Sequence, residues 1–273
     1  MTADPVQNPD DAPDRDDRLF IDAIEKGFVV LEAFNARNRS MNIAQLSSKT
    51  GMGRSAIQRI VYTLHKLGYL QRDNETKRHS LSPKSLSLGS RYLATDNLVD
   101  MAQPFLREIA DRFDETVTLA RLDQVDIVVV SRIASTQMIS ANVPVGSRYP
   151  VEGSASGWVL TAFLPAAMQA DMLRRIRLAR TAPAFLTLID QLVQDLGAIQ
   201  RRGYSAMQGP LFAGGISLAA PVLNVDGHPS AAIALSCPSA RWSAKRAKDL
   251  IAPILVSAAH AMSRLNGWEG ENI

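Results

Sequence analysis

Between residues 19 and 81, apolar residues recur at helical spacing in three short blocks, and helix-ending residues separate the blocks. That pattern admits little besides a small helical domain ending in a hairpin. Ile21, Ile24, Phe28, Leu31 and Phe34 predict an amphipathic helix over 19–35 with this stripe buried. Asn42 then precedes IAQLSSKTG, where its side chain can cap a helix and Gln45 can close a capping box. Gly51 tolerates the left-handed conformation, so the chain can turn sharply before another helix begins near Arg54. On that third helix Ile57, Ile60, Val61 and Leu64 share one face, and Ser55, Gln58, Arg59 and Tyr62 cluster opposite. Gly68 closes it. GYLQRDNETKRHSLS follows as an extended run, a turn over Asp73 to Thr76, and a second run from Arg78, which is a wing.

Charge singles out the same stretch. The net charge of the 273 residues is only +3, but it divides unevenly. Residues 1–17 carry six aspartates against Arg15, a charge of −5, and read as a disordered acidic tail. Residues 18–95 carry thirteen Lys and Arg against five acids, a charge of +8, and residues 96–273 are neutral. A basic module joined to a neutral domain is the electrostatic footprint of nucleic-acid binding. The outward residues of the third helix are donors and acceptors suited to base edges, with arginine able to pair with guanine and glutamine with adenine. Arg54 and Ser55 stand at the helix N-terminus, where an anion is favoured. The expected DNA contacts are therefore Arg54, Ser55, Gln58, Arg59 and Tyr62, with Arg72, Lys77, Arg78 and His79 bringing the wing's positive charge to the duplex backbone. A second reading stays open, in which these helices mediate only protein contacts of a cytoplasmic ligand or redox sensor.

Downstream, residues 85–100 read as a linker helix, with a further helix around 103–113. TVTLARL and DIVVVSRI flank a short turn at Asp123 and Gln124, and ISLAAPVL and SAAIALSC flank NVDGHP, so two hairpins are expected. Helices are expected at 154–164, 166–178, 184–201 and 242–266. Strands with intervening and flanking helices imply an α+β domain over 101–267, an antiparallel sheet with helices packed on it, after a winged helix-turn-helix domain at 18–84.

IEKGFVVLEAF and IAQLSSKTGMGRSAIQRIVYTLHKLGYLQRD resemble the DNA-binding domain of the IclR family of bacterial transcription regulators. NVPVGSRYPVEGSASGWVLTAFL, RRGYSAMQGPLFAGGISLAAPVLNVDGHPSAAIALSCP and the closing helix are similar to that family's effector-binding domain, in order and in spacing. About 250 residues are covered, all but the acidic tail. The resemblance implies a GAF-like second domain, a dimer or dimer of dimers on double-stranded operator DNA, and a small-molecule effector that changes DNA affinity. Carried over by position, the effector would meet Met138, Ala141, Tyr149, Ala155, Met207, Gly215, Ser217, Ala234 and Ser236. Two positions depart from the family's pattern. Ser205, Ala206, Met207 and Gln208 follow Gly203 and Tyr204 where acidic residues are common, and Trp158 stands where a basic residue is common. Both make the site less charged, which points to a flat or aromatic organic acid held by backbone amides and the Ser217 and Ser236 hydroxyls.

Nothing in the chain spells out catalysis or a bound cofactor. Gly153-Ser154-Ala155-Ser156-Gly157 opens a helix after a loop, unlike the strand-turn-helix of a nucleophile elbow. Gly209, Gly214 and Gly215 match no phosphate loop, and the four histidines have no neighbouring metal ligand. Cys237 stands alone, so no disulfide or cysteine-based zinc cluster is available within the chain. With no secretory signal and no transmembrane run, a cytoplasmic protein is expected, away from membranes.

Overall fold

A computed structural model describes residues 18–209 and 214–270, which form two units divided between Thr95 and Asp96. The acidic tail lies outside the described residues.

In the first unit α1 (Asp22–Glu32), α2 (Ile43–Thr50) and α3 (Arg54–Lys66) precede a hairpin of β1 (Leu70–Arg72) and β2 (His79–Leu81). The local signals act as read. Asn42 accepts from the Gln45 amide, the Gln45 side chain accepts from the Asn42 amide, and Gly51 ends α2 at φ +72°. Val30, Phe34, Leu46, Ile57, Val61, Leu64 and Leu70 form the core. The expected α1 stripe is buried only at its C-terminal end, where Phe34 is in the core and Leu31 packs against it. Ile21, Ile24 and Phe28 are each more than half exposed, while Val30, Ala33 and Phe34 face the core. The N-terminal half of the stripe instead borders a groove shared with α3. The expected linker helix over 85–100 is also two helices. α4 (Leu86–Ala94) stops at Thr95, and Asp96 caps α5 (Asn97–Phe113) by accepting from the Leu98 amide.

The second unit holds one six-stranded antiparallel sheet in the order β5-β4-β3-β8-β7-β6. Its strands are β3 (Thr116–Asp123), β4 (Asp126–Ile133), β5 (Arg148–Pro150), β6 (Ser205–Gln208), β7 (Gly215–Leu223) and β8 (Pro229–Pro238). Strand register sets the two faces. Thr118 pairs with Ala234, Ala219 with Ala234, Ser217 with Ser236, and Met207 with Ser217, so these side chains share one face. α6 (Ala155–Phe163), α7 (Ala166–Ala179) and α8 (Pro183–Arg202) form the layer on that side, with α6 against the strands. Val117, Leu119, Ile216, Leu218, Ile233 and Leu235 alternate to the other face, where α5 and α10 (Ala252–Leu265) pack. The expected closing helix is broken at Ile251, with α9 (Ala244–Leu250) before it and Pro253 in the first turn of α10.

Candidate functional site

Two sites emerge, one in each unit. In the first, Ser55, Gln58, Arg59 and Tyr62 are all exposed on the outer side of α3, and Arg54 is exposed at its start. Gly53 precedes the helix with no side-chain cap, in contrast to the closed capping box of α2. The first amides of α3 are thus free for a phosphate oxygen. Arg59 sits at the edge of this face, where it also lines a groove between α1 and α3. The His65 ring bonds the Leu70 carbonyl at 3.0 Å, so it braces the wing.

The wing residues part company. Arg72 is exposed, with no polar partner among the described residues. Arg78 turns inward, its Nε donating to Ser40 Oγ at 2.9 Å and its terminal nitrogen to the Ser40 carbonyl, tying the wing to the α1–α2 loop. Lys77 adopts φ +57° and folds back on the Asn74 carbonyl. His79 is buried and paired with Met41 by backbone hydrogen bonds, so it does not present charge beside the duplex. Burial, then Arg72 and His65, push its pKa down.

In the second unit a cavity of about 130 Å³ lies between the sheet and the start of α6. Of the nine residues carried over from the resemblance, Ala141, Tyr149, Ala155, Met207, Ser217, Ala234 and Ser236 line it. Met138 is fully exposed and does not, and Gly215 shares the face of Ser217 but lies beyond the cavity. The structure adds Thr118, Ile127, Val129, Asn142, Val143, Gly153, Ser154, Ser156 and Gly209. Face alternation along β3 and β4 could have supplied Thr118, Ile127 and Val129, while Asn142 and Val143 lie in a loop with no local signal.

No lining residue is charged. Ser154 caps α6 through the Gly157 amide at 2.9 Å, which leaves the amides of Ala155 and Ser156 at the N-terminus without helical partners. The Thr118 and Ser156 hydroxyls, each in a residue more than nine-tenths buried, have no hydrogen-bond partner among the described residues. Ser217 and Ser236 hydroxyls bond each other at 2.9 Å. An uncharged room with unspent hydroxyls and a helix N-terminus can take a carboxylate and a hydroxyl while apolar walls hold the body between them. Trp158 points elsewhere, donating to the Glu152 carbonyl at 2.8 Å. Cys237 is buried, and burial pushes its thiol up to about 12, which keeps it protonated at ordinary pH.

A basic winged helix-turn-helix followed by a sheet with an uncharged cavity defines a DNA-binding regulator that senses a small molecule. Residues 23–74 match the IclR helix-turn-helix domain, and residues 90–264 match the bacterial transcriptional regulator IclR C-terminal domain. The chain belongs to the IclR family of transcriptional regulators, which are not enzymes. It is 31% identical over 241 residues to the Pca regulon regulatory protein of Pseudomonas putida, covering 88% of this chain and 82% of that one. An IclR family regulator from Brucella abortus superposes with a TM-score of 0.78 at 24% identity, covering 91% of this chain and 94% of that one. An IclR homolog from Microbacterium hydrocarbonoxydans, solved in complex with 4-hydroxybenzoate, gives a TM-score of 0.71 at 21% identity, covering 89% and 98%. These findings leave no support for helices limited to protein contacts. Among the described residues no helix is long and apolar enough to cross a membrane.

Proposed function

We propose that this regulator, working in the cytoplasm on catabolic genes, binds a palindromic operator as a dimer or dimer of dimers. A monocyclic aromatic acid in the second unit shifts its affinity. The observation that carries this reading is the cavity, whose polar groups are all uncharged and include the Thr118 and Ser156 hydroxyls, which have no hydrogen-bond partner among the described residues. Its volume of about 130 Å³ is close to the ~150 Å³ that accommodates benzene in an apolar cavity, which is the scale of a single ring. The 4-hydroxybenzoate bound to the Microbacterium homolog is built on one such ring, with a carboxylate and a hydroxyl for the polar groups.

Titration calorimetry with 4-hydroxybenzoate, benzoate, pyruvate and glyoxylate tests the effector. The ring-bearing acids are expected to bind, and Ala234→Phe, which fills the cavity, to abolish binding. Loss of both serine hydroxyls in Ser217→Ala/Ser236→Ala is expected to weaken 4-hydroxybenzoate by roughly 1–3 kcal/mol. Tight binding of only pyruvate or glyoxylate would sink the assignment.

The dimer reading is supported by the stripe that α1 leaves outside. Ile24 and Phe28 join Leu67 and Leu88 around a groove of about 690 Å³, with all four side chains 44–56% exposed. A second copy covering this apolar surface would pair two α3 helices, as a palindrome requires. Phe28→Asp is expected to shift sedimentation toward the monomer and to weaken operator binding at least ten-fold. An unchanged sedimentation profile would remove this face from the interface.

Coupling has a visible starting point. β3 carries Thr118 into the cavity, and three residues on Arg121 donates to Asp96 at 2.6 Å, the first residue of the second unit and the cap of α5. A ligand shifts DNA affinity only as far as it distinguishes two states of such a connection.

A further inference from the structure

Behind the cavity wall lies a set of buried charges for which neither DNA binding nor effector contact accounts. Glu152 sits fully buried in the 3-10 turn Val151–Gly153, immediately before the residues that line the cavity at the start of α6. Its Oε1 accepts from Arg180 Nε at 2.7 Å, and the same guanidinium donates to Asp126 at 2.6 Å. Arg180 follows α7 and is 5% exposed, so its side chain reaches the turn from outside the cavity. Asp126 also lies 3.4 Å from Arg148 Nε, and Arg148 pairs with Asp123. Glu152 Oε2 has no partner among the described residues.

The other elements packed on this turn bring no ionisable group to it. α6 contains none, and α8 turns Ile189 and Leu192 into the shared core. Arg180 is therefore the one cation among the described residues in direct contact with Glu152. Burial pushes the Glu152 pKa up, and Arg180 pulls against that rise without cancelling it.

We propose that Arg180 is a positioning residue of the effector site. By clamping Glu152 against Asp126 it fixes the turn that aims the Ala155 and Ser156 amides into the cavity, although it touches no effector itself. The proposal rests on the effector reading above, and it carries a consequence of its own for the ligand-free protein. Without the guanidinium, Glu152 satisfies burial by taking up a proton, and above the pH of that uptake the turn must open toward water.

Arg180→Met, Arg180→Lys and Arg180→Met/Glu152→Gln test it by two readouts. Hydrogen exchange on the ligand-free full-length chain follows the amides of residues 153–157, with α3 as an internal reference. In Arg180→Met these amides are expected to exchange more than about ten-fold faster at pH 8 and to approach wild-type protection at pH 5.5, because Asp126 keeps Arg148 at 3.4 Å and only the Glu152 charge is left unpaired, at the higher pH. The double variant is expected to lose that pH dependence, since a glutamine amide in place of the carboxyl cannot ionise. Calorimetry with 4-hydroxybenzoate is expected to follow the same pattern, with Kd for Arg180→Met rising at least about ten-fold from pH 5.5 to 8 relative to wild type. If Arg180→Met does not fold, Arg180→Lys decides: a lysine keeps the charge but cannot fork between two carboxylates, and an intermediate exchange rate is expected. Wild-type exchange in a folded Arg180 variant overturns the proposal. If the wild type binds no 4-hydroxybenzoate, the effector reading falls, and the exchange data still decide the role of Arg180.

Discussion

Gly157→Ala is expected to lower the melting temperature of the effector-binding unit by several degrees and to remove effector binding. A Cβ built on Gly157 falls 2.2 Å from the Val151 carbonyl oxygen and 2.5 Å from its Cα. Both are backbone atoms, so no rotamer change relieves the clash, and α6 must part from the Val151–Gly153 turn. Neither partner is free to move. The turn is held by the Trp158 and Arg180 contacts, and α6 is pinned to β6 where Ser205 Oγ donates to the Ala155 carbonyl at 2.6 Å. Overpacking of this kind costs about 1–3 kcal/mol and sometimes more, while alanine's better helix propensity returns at most ~1. A net loss near 2 kcal/mol corresponds to a drop of roughly 4–8 °C for a unit of this size. Gly27→Ala is the control: nothing lies within 4 Å of its Cβ, and a stability equal to or slightly above wild type is expected. Calorimetric melting of both variants checks the pair, and an unchanged transition for Gly157→Ala would mean the close approach does not exist in solution.

That close approach also marks where the sequence stops being readable. The helix-turn-helix is legible because its signals are local: Asn42 and Gln45 three residues apart, Gly51 at φ +72°, and an α3 whose faces separate by period alone. The two long hairpins are legible for the same reason, since β3–β4 and β7–β8 are each joined by a few turn residues. β5 and β6 escape a reading by pattern because they are three- and four-residue strands defined only by pairing with β4 and β7. The Arg180 clamp joins residues 28 and 54 positions apart, and no spacing rule connects them. The bond from Arg78 to Ser40 is illegible for a related reason, the two being 38 residues apart. The α1 stripe misleads because amphipathicity marks a surface that wants covering without saying what covers it. Asp96 is the exception, a local cap signal sufficient to divide the linker helix.

The other large effect expected is on DNA, and it separates residues that position the protein from residues that read sequence. Arg54→Ala removes a charge beside the open N-terminus of α3, and its effect is expected to be equal on a selected operator and on random duplex, with the log–log salt slope falling by about one for each phosphate it had neutralised. Gln58→Ala and Arg59→Ala are expected to cost about 1–3 kcal/mol on the operator alone for each base the side chain no longer reaches. On a palindrome bound by a dimer each substitution acts twice, so operator preference is expected to fall by roughly 2–6 kcal/mol, enough to erase most of the usual 4–10 kcal/mol margin over non-specific DNA. Fluorescence anisotropy on both duplexes between about 50 and 200 mM salt, a range over which such affinities fall steeply, measures both quantities. If Gln58→Ala and Arg59→Ala weaken both duplexes equally, they are backbone contacts, and the base-reading residues of α3 are Ser55 and Tyr62, which share the outward face. If operator affinity hardly changes with salt, the +8 charge of residues 18–95 does not meet phosphate, and the assignment of this face to DNA fails.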